Sequence, residues 1–109
     1  MDDGEAMYIV IFMTCANKKE ADTIAGELVK SKLAACVNIV GNIKSVFRWQ
    51  AKLDKTNEVL LIIKSKKSKF DKIAKFVKSI HSYEVPEIIS LPITAGNKDY
   101  LEWLDANIR

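Results

Sequence analysis

The sequence predicts an α+β fold: a split β-α-β sheet with an extended hairpin and one additional helix at the C-terminus. Three observations predict it. Two continuous apolar runs, Ile9–Met13 and Val59–Ile63, read as strands buried on both faces. Apolar residues recur at helical spacing in three other stretches, after each of these runs and again at the C-terminal end. Between the two runs, the ribbon from Leu33 to Leu53 ends in strict two-residue alternation.

Taken in order, residues 1–6 form a polar tail and residues 7–109 a single domain, a length that supports a core without staples. Met7–Met13 is the first strand. Asn17, with Glu20 three residues on, has the spacing of a capping box. Ala21, Ile24, Ala25, Leu28 and Val29 then give one helical stripe that ends near Lys32. The second strand starts at Leu33 and continues to Leu53, with Gly41–Asn42 as a bulge or bend inside it. Asp54–Asn57 supplies the hairpin turn, and Val59–Ile63 is the third strand. Ser65 or Ser68 caps the next helix, whose core stripe is Phe70, Ile73, Val77 and Ile80. Pro86 drives Val85 to extended geometry, so that helix has ended by the corner His81–Glu87. Ile88–Thr94 is the fourth strand, and Pro92, which cannot donate a ladder bond, places it at a sheet edge. Gly96–Asn97 leads into a last helix whose apolar residues are Tyr100, Leu101, Trp103, Leu104 and Ile108; it covers the surface left over. The order β-α-β-β-α-β-α is ferredoxin-like, with sheet order 4-1-3-2 and both apolar runs central.

Composition excludes several classes of function. No apolar run approaches the ~20 residues of a membrane span. The acidic start lacks the basic and apolar regions of a signal peptide, which makes the cytoplasm the expected location. Net charge is +3, and seven lysines fall between Lys64 and Lys78; a solvated helix face accounts for them better than a nucleic-acid footprint. No phosphate loop, metalloprotease motif or nucleophile elbow occurs, so the chain does not read as an enzyme. Cys15 and Cys36 lack the spacing of a zinc ribbon or redox pair, and with the third strand between their own strands they cannot form a disulfide within one protomer.

A strand of about 20 residues reaches roughly 65 Å, whereas a domain of this size is only some ~35 Å across. The ribbon must project, carrying Phe47, Trp49 and Leu53 into solvent unless other copies cover them. The sequence therefore implies a homo-oligomer joined through residues 43–57.

Four ordered motifs carry a family resemblance: Leu33-Ala34-Ala35-Cys36-Val37-Asn38-Ile39, Ser45-Val46-Phe47-Arg48-Trp49, His81-Ser82-Tyr83-Glu84-Val85-Pro86-Glu87 and Tyr100-Leu101-Glu102-Trp103-Leu104. From about Met7 to Ile108 the chain resembles the CutA, or divalent-cation-tolerance, family. The resemblance implies a ferredoxin-like protomer, assembly as a homotrimer through the long hairpin, and a link to copper and other divalent metal ions. Copper-associated bacterial members end the first strand with a cysteine and set two adjacent histidines before the proline corner. Here Met13 falls at the cysteine position with Cys15 two residues later, and Ile80 replaces the first histidine. A one-cysteine, two-histidine site cannot be transferred. Ala51 stands where the family's Trp-x-Gly motif has glycine, and Ser82 where a proline commonly follows the histidine.

His81, the only histidine, is the first candidate metal ligand, with Glu87 and a neighbouring subunit's Cys36 as possible companions. The other reading of His81 is a helix-terminal residue engaged with backbone carbonyls or packed in a subunit contact. Lys64, Tyr83 and Glu84 are candidates for an intersubunit cleft, which Glu87 also faces unless it forms a salt bridge at the seam. Phe47, Trp49 and Leu53 are the interface anchors, and Met13 is core. The expected partners are further copies of the chain, as a homotrimer, and divalent metal ions; copper or another divalent cation is the expected cofactor, none being obligatory. The alternative is a PII-like trimeric signalling or scaffold module holding a small anionic ligand between subunits.

Overall fold

Seven principal elements follow one another in the predicted order in the computed structural model, which describes residues 7–109. They are β1 (Tyr8–Cys15), α1 (Lys18–Lys30), β2 (Cys36–Trp49), β3 (Lys52–Lys66), α2 (Phe70–Ile80), β4 (Ile88–Pro92) and α3 (Lys98–Ala106). The expected tail at residues 1–6 lies outside the described residues. The sheet runs β2-β3-β1-β4 with every neighbouring pair antiparallel. This is the predicted order, with the proline-bearing strand at an edge.

Strand register decides what becomes core. Ile11 lies opposite Ile63 and Met13 opposite Leu61. The alternate residues Ile9, Ile11, Met13 and Cys15 of β1 therefore share a face with Val59, Leu61 and Ile63 of β3. Ala21, Ile24, Ala25 and Leu28 of α1 and Ile73 and Val77 of α2 join them in one buried cluster. The other face is only partly closed. Leu104 and Ile108 pack with Ala35 and Tyr8 at one end, while Ile89 and Leu91 stay half exposed. Burial of β1 and β3 on both faces is thus incomplete in a single protomer, because α3 is only nine residues long and cannot span the sheet.

The capping box forms with its reciprocal arm displaced by one residue. Asn17 Oδ1 accepts the Glu20 N–H at 2.9 Å, and Glu20 Oε1 accepts the N–H of Ala16 rather than of Asn17, at 3.0 Å. Asn97 caps α3 by accepting from Asp99 and Tyr100. Neither Ser65 nor Ser68 caps α2. That helix is preceded by a single 3-10 turn, Lys67–Lys69, and has no side-chain cap. Ser65 instead continues β3, fully buried, and donates its hydroxyl to Leu33 O at 2.6 Å. A hydroxyl that reaches a carbonyl inside the sheet has no need of a helix end.

The hairpin turns earlier than Asp54–Asn57. Gln50 and Ala51 form a two-residue turn with φ of 50° and 64°, and Trp49 pairs with Lys52. The polar run 54–57 lies within β3, opposite Lys44–Phe47. Polar residues signal a turn only where the ladder is free to end, and here every one of them has a cross-strand partner. The second strand is consequently 14 residues, about 43 Å from end to end, and the longest dimension of the protomer is 44 Å. The overhang persists at smaller scale. Pairing of β3 with β1 stops at Val59, leaving Lys52–Glu58 and its β2 partners as a two-stranded arm of about 23 Å.

Ala51 occupies the left-handed region that glycine adopts without strain. Ala51→Gly is expected to stabilise the protein by about 1 kcal/mol, measured as a raised denaturant midpoint with an unchanged slope. An unchanged or lowered midpoint would mean that the turn holds no strain.

The predicted irregularity at Gly41–Asn42 is a β-bulge. Val40 pairs with Leu60 and Ile43 with Glu58, so β2 advances three residues while β3 advances two. Asn42, not the glycine, takes positive φ, at 59°. The extra residue exchanges the faces of everything beyond it. Ser45, Phe47 and Trp49 come to share a face with Thr56 and Asp54, while Val46 and Arg48 share the opposite face with Leu53 and Lys55.

Candidate functional site at the His81 corner

His81 closes α2, donating its N–H to Val77 O at 2.8 Å and then turning extended. Its side chain is completely buried. The ring bridges two stretches of backbone: Nε2 lies 2.8 Å from Thr14 O at the end of β1, and Nδ1 accepts the Tyr83 N–H at 3.0 Å. Glu20 reaches in from α1. Its Oε1 accepts from Ala16 N and lies 3.8 Å from His81 Nε2, while Oε2 accepts the Ser82 N–H at 2.7 Å. Burial pushes the Glu20 carboxyl upward, but the hydrogen bonds from Ala16 and Ser82 outweigh it and hold the group below its ordinary value. Cys15 completes the cluster: its sulfur, the Glu20 carboxylate and the imidazole offer donor atoms within 4.8 Å of one another. Burial, then the charges of Glu20 and Glu58, push the Cys15 thiol up to about 12.

A groove of about 880 Å³ opens between this corner and the arm of the hairpin. Its acidic lining comprises Asp54 and Glu58 of β3 together with Glu84 and Glu87 of the corner, against Lys55 as the one lysine. Phe47, Trp49 and Val85 supply apolar wall. Glu58 is only 8% exposed, and its Oε2 accepts the Tyr83 hydroxyl at 2.7 Å. Burial and this bond to Glu58 push the Tyr83 hydroxyl well above its ordinary range, so tyrosine is the fixed donor and glutamate the acceptor.

The corner therefore brings together His81, Tyr83, Glu84 and Glu87, with Phe47 and Trp49 across the groove. It does not bring in Cys36 or Lys64. Those two are partners of each other across β2 and β3, with Lys64 Nζ 3.9 Å from Cys36 Sγ and the Tyr100 hydroxyl close by. Lys64 lies five residues along β3 from Val59, the partner of Cys15, so this pair is about 17 Å from the His81 cluster. Within one protomer Cys36 cannot share an ion with His81. Leu53 is 72% exposed on the opposite face of the arm from Phe47 and Trp49.

Cys15, Glu20, Asp54 and Glu58 went unidentified as site residues in the sequence. Cys15 had a usable signal: it continues the alternation Ile9, Ile11, Met13, so β1 ends on a cysteine after all. Glu20 was legible as a cap, and its second oxygen is what reaches the corner. Asp54 and Glu58 become visible only once the turn is placed at Gln50–Ala51.

The donor set of the cluster does not fit a metal ion. The imidazole has one lone pair and uses it on Tyr83, which leaves Cys15 and Glu20 as two donors, fewer than the three or four a protein metal site takes. A thiolate-specific reagent at pH 8 is expected to leave Cys15 unmodified in the native protein and to label it once denaturant is added. Native labelling, located by peptide mass, would contradict that burial. Both cysteines are free, as expected.

Comparison with known proteins places this geometry. Residues 9–107 match the model of the CutA1 divalent ion tolerance protein family. The chain belongs to that family. Among its relatives is a Thermus thermophilus divalent-cation tolerance protein CutA, 45% identical over 101 residues that cover 93% of this chain and 98% of that one. The rice protein CutA 1, chloroplastic, is 48% identical over 93% of this chain, which spans 57% of the rice protein's length. The Thermus structure superposes with a TM-score of 0.93 at 44% identity, covering 94% of this chain and all of the other. The structure of the periplasmic CutA of Archaeoglobus fulgidus gives 0.92 at 40% identity over 94% and 100% of the two chains. The family resemblance and the ferredoxin-like fold expected from the sequence both stand. The family's printed description is tolerance of divalent ions, and the relatives' names carry two different compartments. Among the described residues no helix is long and apolar enough to cross a membrane.

Proposed function

We propose that the protein is a non-enzymatic homotrimer of the cytoplasm that binds copper or another divalent metal ion and contributes to divalent-cation tolerance, with the ion held in the groove beside the His81 corner. The observation that carries this reading is the groove's charge: Asp54, Glu58, Glu84 and Glu87 face Lys55 alone. Carboxylate oxygens at that density favour a divalent cation and disfavour a small anion. The PII-like alternative needs a cationic lining, and Lys64, the residue expected to provide it, lies five residues along β3 from Val59 and outside the groove. The open sheet face with Ile89 and Leu91, and the arm with apolar residues on both faces, supply the surface for the other subunits.

Calorimetry with copper(II) and zinc(II) tests the groove. A variant carrying Glu84→Gln and Glu87→Gln is expected to bind at least about tenfold more weakly than wild type, as befits the loss of two charged ligands. Superimposable isotherms would remove the groove as the site.

A further inference from the structure

The His81 corner is held by side chains in place of backbone. Among the described residues, positions 82–87 make no backbone–backbone hydrogen bond outside the strands. The corner is tied instead to three separate elements: to β1 through His81 and Thr14 O, to α1 through Ser82 and Glu20, and to β3 through Tyr83 and Glu58. The geometry of the imidazole fixes its chemistry. Tyr83 N–H points at Nδ1, so Nδ1 must carry the lone pair; Thr14 O faces Nε2, so Nε2 must carry the proton. Freeing Nε2 for an ion would move that proton to Nδ1, setting two N–H groups against each other across 3.0 Å.

We infer that His81 is a positioning residue and not a metal ligand: locked as the Nε2–H tautomer, it pins the corner to the end of β1 and, through Tyr83, fixes where the Glu58 carboxylate stands in the groove. Two contacts of one buried ring thus set the relative position of corner and hairpin arm. The tautomer itself stands apart from the cation-binding proposal, whereas the expected behaviour of metal binding rests on it.

Because His81 is the only histidine of the chain, long-range 1H–15N correlation on histidine-labelled full chain reports one imidazole. The metal-free spectrum is expected to show a protonated Nε2 and an unprotonated, hydrogen-bonded Nδ1, and zinc(II) added to saturation should leave both resonances in place. His81→Asn gives the second readout. An asparagine oxygen can accept the N–H two residues on, which keeps the tie to Tyr83 but removes the imidazole. Its zinc affinity is therefore expected to stay within about threefold of wild type, where loss of a true ligand would cost about tenfold or more. A proton found on Nδ1, a zinc-dependent shift of either nitrogen, or a tenfold weaker His81→Asn would each overturn the inference. If wild type binds no zinc, the groove proposal fails, and the metal-free spectrum still decides the tautomer.

Discussion

Glu20→Ala is expected to cost about 3 kcal/mol of stability, the removal of two charge-assisted hydrogen bonds at a side chain that solvent hardly reaches. One bond closes the start of α1 and the other anchors Ser82. The single substitution therefore frays a helix end and releases the corner together. Denaturant titration checks the size, and a loss under about 1 kcal/mol would show that water replaces both contacts. The effect has a pH signature. Glu20 has a lower pKa folded than unfolded, so its contribution is complete above the ordinary carboxylate range and fades as pH falls through the folded value. The stability gap between wild type and Glu20→Gln should be constant above about pH 5 and shrink below about pH 4. A gap that widens on acidification would reverse the assignment.

Replacing Phe47 and Trp49 together with serine is expected to convert the oligomer to monomer at micromolar concentration in sedimentation velocity. Trp49 is 51% and Phe47 38% exposed in the protomer, and buried aromatic anchors of an interface are each worth about 2 kcal/mol or more. In a closed ring every copy carries the change, so each seam loses both anchors. Neither residue belongs to the buried core cluster, so far-ultraviolet circular dichroism should remain native. A variant that sediments as wild type would move the interface off this face of the arm. A monomeric wild type would remove the assembly altogether.

How much of this could be seen beforehand depended on whether the signal was local. Strand order was legible because Ile9–Met13 and Val59–Ile63 can be satisfied only in the centre of a sheet, and Pro92 only at its edge. Asn17 and Asn97 were each followed within three residues by the N–H groups they cap; the Asn97 cap was read only as a turn. The hairpin turn was misplaced because Gln50 and Ala51 carry no turn chemistry, while Asp54–Asn57 carries it in abundance. Left-handed backbone at two ordinary residues is imposed by the pairing on either side of them. That error displaced Asp54 and Glu58 from the site and lengthened β2. His81 was recognised as the centre of the corner, with ligand and carbonyl-bound readings both open. Choosing between them required Thr14, 67 residues away in sequence, and no spacing rule reaches that far.

The bulge at Asn42 divides the ribbon into two regions under different obligations. Before it, Val37 of β2 packs against the chain's own interior; past it, the same strand presents a reversed set of side chains to whatever stands outside. Substitutions in the distal half can alter that outward surface without disturbing the hydrophobic centre, since one inserted residue has uncoupled the two tasks. Were the ladder regular, with Asn42 opposite Glu58, Phe47 would stand opposite Leu53 and turn away from the acids it now stands beside.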